Sequence, residues 1–132
     1  MSDQTVWADT TDGGLLKQLY GYYPTLHDAV VRSVDIDRSA DTIRMVLDYN
    51  DMLGEDRNQH LSVRICLEWA GIVSFDLPIG DHDLYYVELE RENGHIVTSL
   101  GAFGSVVSEG FEAILIQIDP GEPDDTPRLR YQ

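Results

Sequence analysis

His60-Leu61-Ser62-Val63-Arg64-Ile65-Cys66-Leu67-Glu68-Trp69 decides the fold. Leu61, Val63, Ile65, Leu67 and Trp69 fall on one side of an extended chain; His60, Ser62, Arg64, Cys66 and Glu68 fall on the other. Successive side chains of a strand point to opposite faces, so this period of two predicts a half-buried β-strand. The same period runs outward in both directions. Ile43, Met45, Leu47 and Tyr49 alternate with Thr42, Arg44, Val46 and Asp48, and Ala29–Asp37 reads as a strand with Val30, Val34 and Ile36 on one face. Ile72–Leu77 reads as a further strand ended by Pro78. Asn93-Gly94, between Leu84–Arg91 and His95–Leu100, signals a hairpin, because a type I′ turn needs positive φ at both central residues. Phe111–Ile118 is a nearly continuous apolar run, the pattern of a strand covered on both faces.

Ahead of the strands, Asp12 is placed to cap one short helix over 13–20, with Leu15, Leu16, Leu19 and Tyr20 along one side and Gly21 ending it. Gly13 and Gly14 raise the entropic cost of that helix. About seven strands with short turns and one N-terminal helix predict a mainly antiparallel α+β domain with a sandwich-like body. No helical crossover is present to support a parallel sheet. Asn50–Gln59 reads as a polar loop and Gly101–Ser105 as a bend between strands. Residues 1–132 form a single domain in this reading, with 1–10 and 120–132 as loose tails, although Val6 and Trp7 offer the first tail a way to dock.

Composition bounds the function. At 132 residues, 42% hydrophobic and 25% charged, the chain can bury a core without disulfides or metal. Nine Lys and Arg against 24 Asp and Glu leave a net charge of −15. That sign is wrong for a nucleic-acid binder and for an anionic membrane surface. The excess is uneven: residues 1–66 hold 11 acids and 6 bases, whereas residues 67–132 hold 13 acids and 3 bases. A one-signed surface either keeps the chain soluble or steers a cationic partner toward it. Cys66, the only cysteine, cannot form an internal disulfide or a cysteine-rich zinc site. The opening residues lack the basic and apolar regions of a signal peptide, and no apolar run matches a membrane span. A cytoplasmic protein is the expectation.

Side chains with chemical potential are few. His27-Asp28 could supply a general base or metal ligand with an orienting carboxylate, but both residues equally suit a loop entering the first strand. Asp81-His82-Asp83 could converge on an ion only in a loop, where solvated acids need no function. Asp48–Gly54 resembles a calcium loop superficially, yet Leu53 stands where the sharp turn needs glycine. No nucleophile elbow, phosphate loop or Schiff-base lysine is evident. The expectation is no catalytic residue, no metal and no cofactor. Tyr beside carboxylates suits protein recognition, which singles out Asp81, Asp83, Tyr85, Tyr86, Glu88 and Glu90 as partner-binding candidates.

Gly21-Tyr22-Tyr23-Pro24-Thr25-Leu26-His27-Asp28-Ala29-Val30-Val31, followed by the alternating Ser33–Arg38, resembles the immunity protein 50 family of bacterial polymorphic-toxin systems. The motif residues are Tyr22, Tyr23, Pro24, His27 and Asp28; Tyr23 stands where Trp is common, and Val30 where an acid often follows Ala. The resemblance is specific over about residues 20–38 and general beyond them. It implies a non-enzymatic protein that neutralises a cognate toxin, with the motif serving structure. Acidity adds that the toxin surface would be basic, as in a nuclease, and the protein itself a monomer or weak homodimer. The alternative is a small hydrolase using His27 and Asp28, with or without a divalent metal. A self-associating module that pairs through its edge strands is a third reading.

Overall fold

The computed structural model describes residues 4–23, 25–27, 29–53, 56–77, 83–84 and 86–120. Two short helices, α1 (Gln4–Ala8) and α2 (Gly13–Tyr20), precede the strands. The strands are β1 (Ala29–Asp37), β2 (Thr42–Leu53), β3 (Asp56–Asp76), β4 (Asp83–Leu84), β5 (Glu88–Glu92), β6 (His95–Ser99) and β7 (Ser105–Pro120). A single 3-10 turn, Gly101–Phe103, bends the chain between β6 and β7, as the glycines there suggest. All pairings are antiparallel, in the order β4-β1-β2-β3-β7-β6-β5. The mainly antiparallel α+β class is therefore as expected.

The sandwich-like body is not. Leu84 pairs with Ala29 at one margin of the sheet, and Glu88, only four residues later, pairs with Ser99 at the other. Four residues reach at most about 14 Å. A flat seven-stranded sheet would hold its outer strands roughly 29 Å apart at a spacing of about 4.8 Å. The single sheet must therefore coil until its margins nearly meet. Its concave side is the core: Ile43, Met45 and Leu47 of β2, Val63, Ile65, Leu67 and Trp69 of β3, and Ala113 of β7 are buried there.

The helices close the open part of this trough. Residues 1–10 were expected to be loose, and a single helix was expected; instead Gln4–Ala8 is helical and Val6 and Trp7 are buried. The Trp7 ring meets Phe111 edge-on at 5.7 Å, and Phe111 meets Trp69 at 5.6 Å, so an aromatic stack pins α1. At the other end of α2, Tyr20 packs against Tyr49 at 5.4 Å. Gly13 allows the sharp passage between helices, since a Cβ there would strike the Trp7 carbonyl and the Thr10 hydroxyl. Asp12 does not cap α2 through its side chain. It caps the sheet instead: its N–H donates to the Ala113 carbonyl (3.0 Å) and its Oδ2 accepts from the Leu115 N–H (2.7 Å). The margin of β7 left open beyond β6 is thereby covered at these positions.

Further expectations are corrected. The two strands read over His60–Trp69 and Ile72–Leu77 are one strand, β3, kept continuous by Gly71 at φ 66° and a register shift between Ile72 and Ser74. The polar loop over Asn50–Gln59 is mostly strand, because β2 runs to Leu53 and β3 begins at Asp56. Val30 does not share a face with Val34 and Ile36: a bulge at Arg32 shifts the register, so Val31, Val34 and Ile36 oppose the core residues Leu47, Met45 and Ile43. Phe111–Ile118 is not covered on both sides, since Ile114, Ile116 and Ile118 are exposed. Of the second tail expected over 120–132, Pro120 is instead the last residue of β7, and residues 121–132 lie outside the described residues.

Candidate functional site

The segment 21–29 runs from α2 to β1. Gly21 ends α2 in the left-handed conformation at φ 86°, its N–H donating to the Lys17 carbonyl at 2.7 Å. Tyr22 is exposed and its ring lies 6.2 Å from that of Tyr20, whereas Tyr23 is half-buried beneath Lys17, whose Nζ sits 5.1 Å from the ring centre. Leu26, at φ 58°, is fully buried. The Thr25 carbonyl accepts from the Val87 N–H (2.6 Å), so this segment is tied to the chain linking the two sheet margins. His27 is exposed in the turn before β1. Pro24 and Asp28 lie outside the described residues.

Of the partner-binding candidates, Asp81 and Tyr85 lie outside the described residues, and Asp83 is placed by its backbone alone, opposite Val30. Tyr86 is half-buried. Glu88 and Glu90 do share a surface: they oppose Ser99 and Val97, and Glu92, which sequence reading passed over, continues the row opposite His95. Leu89, between them, is buried on the other side. Three carboxylates thus line one face of a marginal strand at roughly 7 Å intervals. Arg91, the basic residue of this strand, is turned away and bonded to Asp9 at 2.5 Å. Such a row also discourages pairing with a foreign strand.

The convex face over β1–β3 shows the opposite pattern, with Arg32, Arg44 and Arg64 each matched to a carboxylate. Asp48 accepts from Arg64 Nε (2.8 Å) and Nη2 (3.3 Å), and from Arg32 Nη1 (3.2 Å). Arg44 Nε donates to Glu68 across the β2–β3 ladder, and this bond and charge push the guanidinium above its usual range. Cys66 lies half-buried on this face; burial pushes its thiol up, and Arg44 pulls it partly back. These pairs leave few free cations among the described residues.

One feature escaped sequence reading. Beside the turn joining β1 and β2 lies an open cleft of about 350 Å³, lined by Ile36, Ile72, Val73 and Phe75, with Asp37, Arg38 and Asp41 at its edge. The signal was the run Ile72-Val73-Ser74-Phe75, which breaks strict alternation and so forces an apolar side chain outward. No group of three His, Cys, Asp or Glu side chains placed to hold a metal occurs among the described residues. No helix of the described residues is long and apolar enough to cross a membrane.

Compared with protein-family models, curated proteins and solved structures, the chain matches none.

Proposed function

We propose that this protein is a cytoplasmic, non-enzymatic immunity protein that binds a basic cognate toxin through an acidic surface and buries the toxin's active region. The observation that carries this reading is the row Glu88, Glu90 and Glu92 along one face of β5. A field of one sign accelerates encounter with a cationic partner and disfavours anionic ones. The likeness of residues 20–38 to immunity protein 50 members points the same way. The protein would act as a monomer or weak homodimer, since net charges of −15 repel in any self-assembly.

Co-expression with candidate toxins tests the reading directly: one basic toxin should be neutralised, and the pair should co-purify. For that pair, the triple change Glu88→Lys, Glu90→Lys and Glu92→Lys should slow association by about tenfold or more at low salt and flatten its salt dependence. Rescue with unchanged association rates would remove this face from the interface. Hydrolytic turnover lost in His27→Ala, with the fold intact, would replace the binding reading altogether.

A further inference from the structure

The cleft beside the β1–β2 turn has two properties that a solvated surface does not require. Ile36, Val73 and Phe75 are exposed by 46%, 55% and 47%, so three large apolar side chains face solvent together. Contiguous apolar surface rimmed by polar groups marks contact sites. The lining is acidic as well: Asp37 and Asp41 both contribute to it. Arg38 is the single base of the cleft lining.

The walls are fixed before any partner arrives. The Gly71 N–H donates to the Asp41 carbonyl at 3.0 Å, joining the bulged part of β3 to the β1–β2 turn. Asp37 Oδ1 accepts from the Ser39 and Ala40 N–H groups at 2.9 and 3.2 Å, which holds that turn. A cleft of about 350 Å³ is at the small end of ligand-sized pockets and suits one large side chain better than a whole cofactor.

We propose that this cleft docks a large apolar side chain, aromatic for preference, carried on a cationic segment of a partner protein. The proposal rests on the binding-protein reading above and assigns its anchor point. The sign of the rim selects the occupant. A lipid headgroup or a nucleic-acid phosphate would meet like charge, and a second copy of this chain would bring the same carboxylates and another net −15. An aromatic flanked by Lys or Arg satisfies floor and rim together, with the aromatic as the desolvated anchor and the cations setting specificity.

The test uses the full chain, labelled with nitrogen-15, and three synthetic pentapeptides: Lys-Lys-Trp-Lys-Lys, Lys-Lys-Gly-Lys-Lys and Glu-Glu-Trp-Glu-Glu. The first should shift the amides of Ile36, Asp41, Val73 and Phe75, with an affinity that falls as salt rises. The second should bind about tenfold more weakly. The third should not bind. Val73→Ser, at an exposed position, and Asp41→Asn, which tolerates the left-handed backbone at φ 57°, should each weaken the first peptide several-fold. Equal affinity for the Trp and Gly peptides, or binding of the acidic peptide, would overturn the proposal. Shifts confined to Glu88–Glu92 would overturn it while leaving the acidic-surface reading intact. Cationic peptides that shift no amide anywhere would sink both.

Discussion

The indole Nε1–H of Trp69 donates to the hydroxyl of Thr98 over 2.8 Å, between two residues that are each fully buried. Trp69 lies in the longest strand, and Thr98 lies two strands across, beyond β7. The bond therefore ties β3 to β6 across β7 on the buried side of the sheet. Thr98→Val keeps the shape and leaves the indole N–H without an acceptor. It should cost about 1–3 kcal/mol in denaturant unfolding. Trp69→Phe should cost more, because it also opens a cavity against Phe111. A double mutant no worse than Trp69→Phe alone would establish the coupling; strict additivity would refute it.

Asp48 receives three guanidinium contacts, and both Asp48 and Arg64 are largely shielded, with side chains 12% and 16% exposed. Asp48→Asn removes the charge that Asp48 supplies to half-buried Arg64. A loss of about 2 kcal/mol is expected, in the range for removing one partner of a shielded, bidentate pair. Arg44→Ala, by contrast, removes a guanidinium that is mostly in water, and the melting temperature should barely move. Similar melting losses in the two variants would contradict this ranking.

Much of the fold is legible because burial on one side of a strand writes itself as alternation. Val63, Ile65, Leu67 and Trp69 are all buried as the period requires, and Asn93 and Gly94 adopt φ 51° and 82° as a type I′ turn demands. The coil of the sheet is not legible, because it depends on which strands become margins, a long-range choice that no local period encodes. Helix α1 is hidden for a related reason: five residues carry no measurable period, and the burial of Val6 and Trp7 against distant parts of the chain is not written in the local sequence. At the candidate surface, Glu88 and Glu90 are legible as acids following Tyr85 and Tyr86 in an acidic stretch. The cleft was missed because a bulge in β3, not composition, turns Val73 outward.

Cys66 offers a pH readout of the convex face. Burial and the neighbouring Glu68 carboxylate push its thiol above the ordinary range, and Arg44 opposes them. Because the thiolate is the reactive form, maleimide labelling at neutral pH should be slower than for a free thiol and should accelerate at a correspondingly higher pH. Arg44→Ala should move that acceleration higher still, and Glu68→Gln should lower it. The folded thiol also holds its proton where an unfolded one has lost it, so stability should decline as pH rises past the ordinary thiol range. Labelling that follows the free-thiol profile would show that the site is more open than its burial indicates.

Gly104 sits where the chain leaves the 3-10 turn for β7, at φ 129°. Its carbonyl accepts from the Leu100 N–H at 2.8 Å, and its own N–H donates to the Gly101 carbonyl at 3.2 Å, so the turn cannot easily relax. A Cβ at this position would also strike the Asp76 backbone carbonyl at the end of β3, which no rotamer change can move aside. Gly104→Ala should therefore destabilise the fold by about 3 kcal/mol or more, combining left-handed strain with a backbone displacement. Gly94, in the β5–β6 hairpin, has positive φ but open space around it, so Gly94→Ala should cost only about 1 kcal/mol. Thermal melts of the two variants measure the difference. The gap between them reports the contact of Gly104 with Asp76 together with its backbone at φ 129° and ψ −153°, a region kept almost entirely for glycine; a gap near zero would mean that the end of β3 yields where the 3-10 turn abuts it.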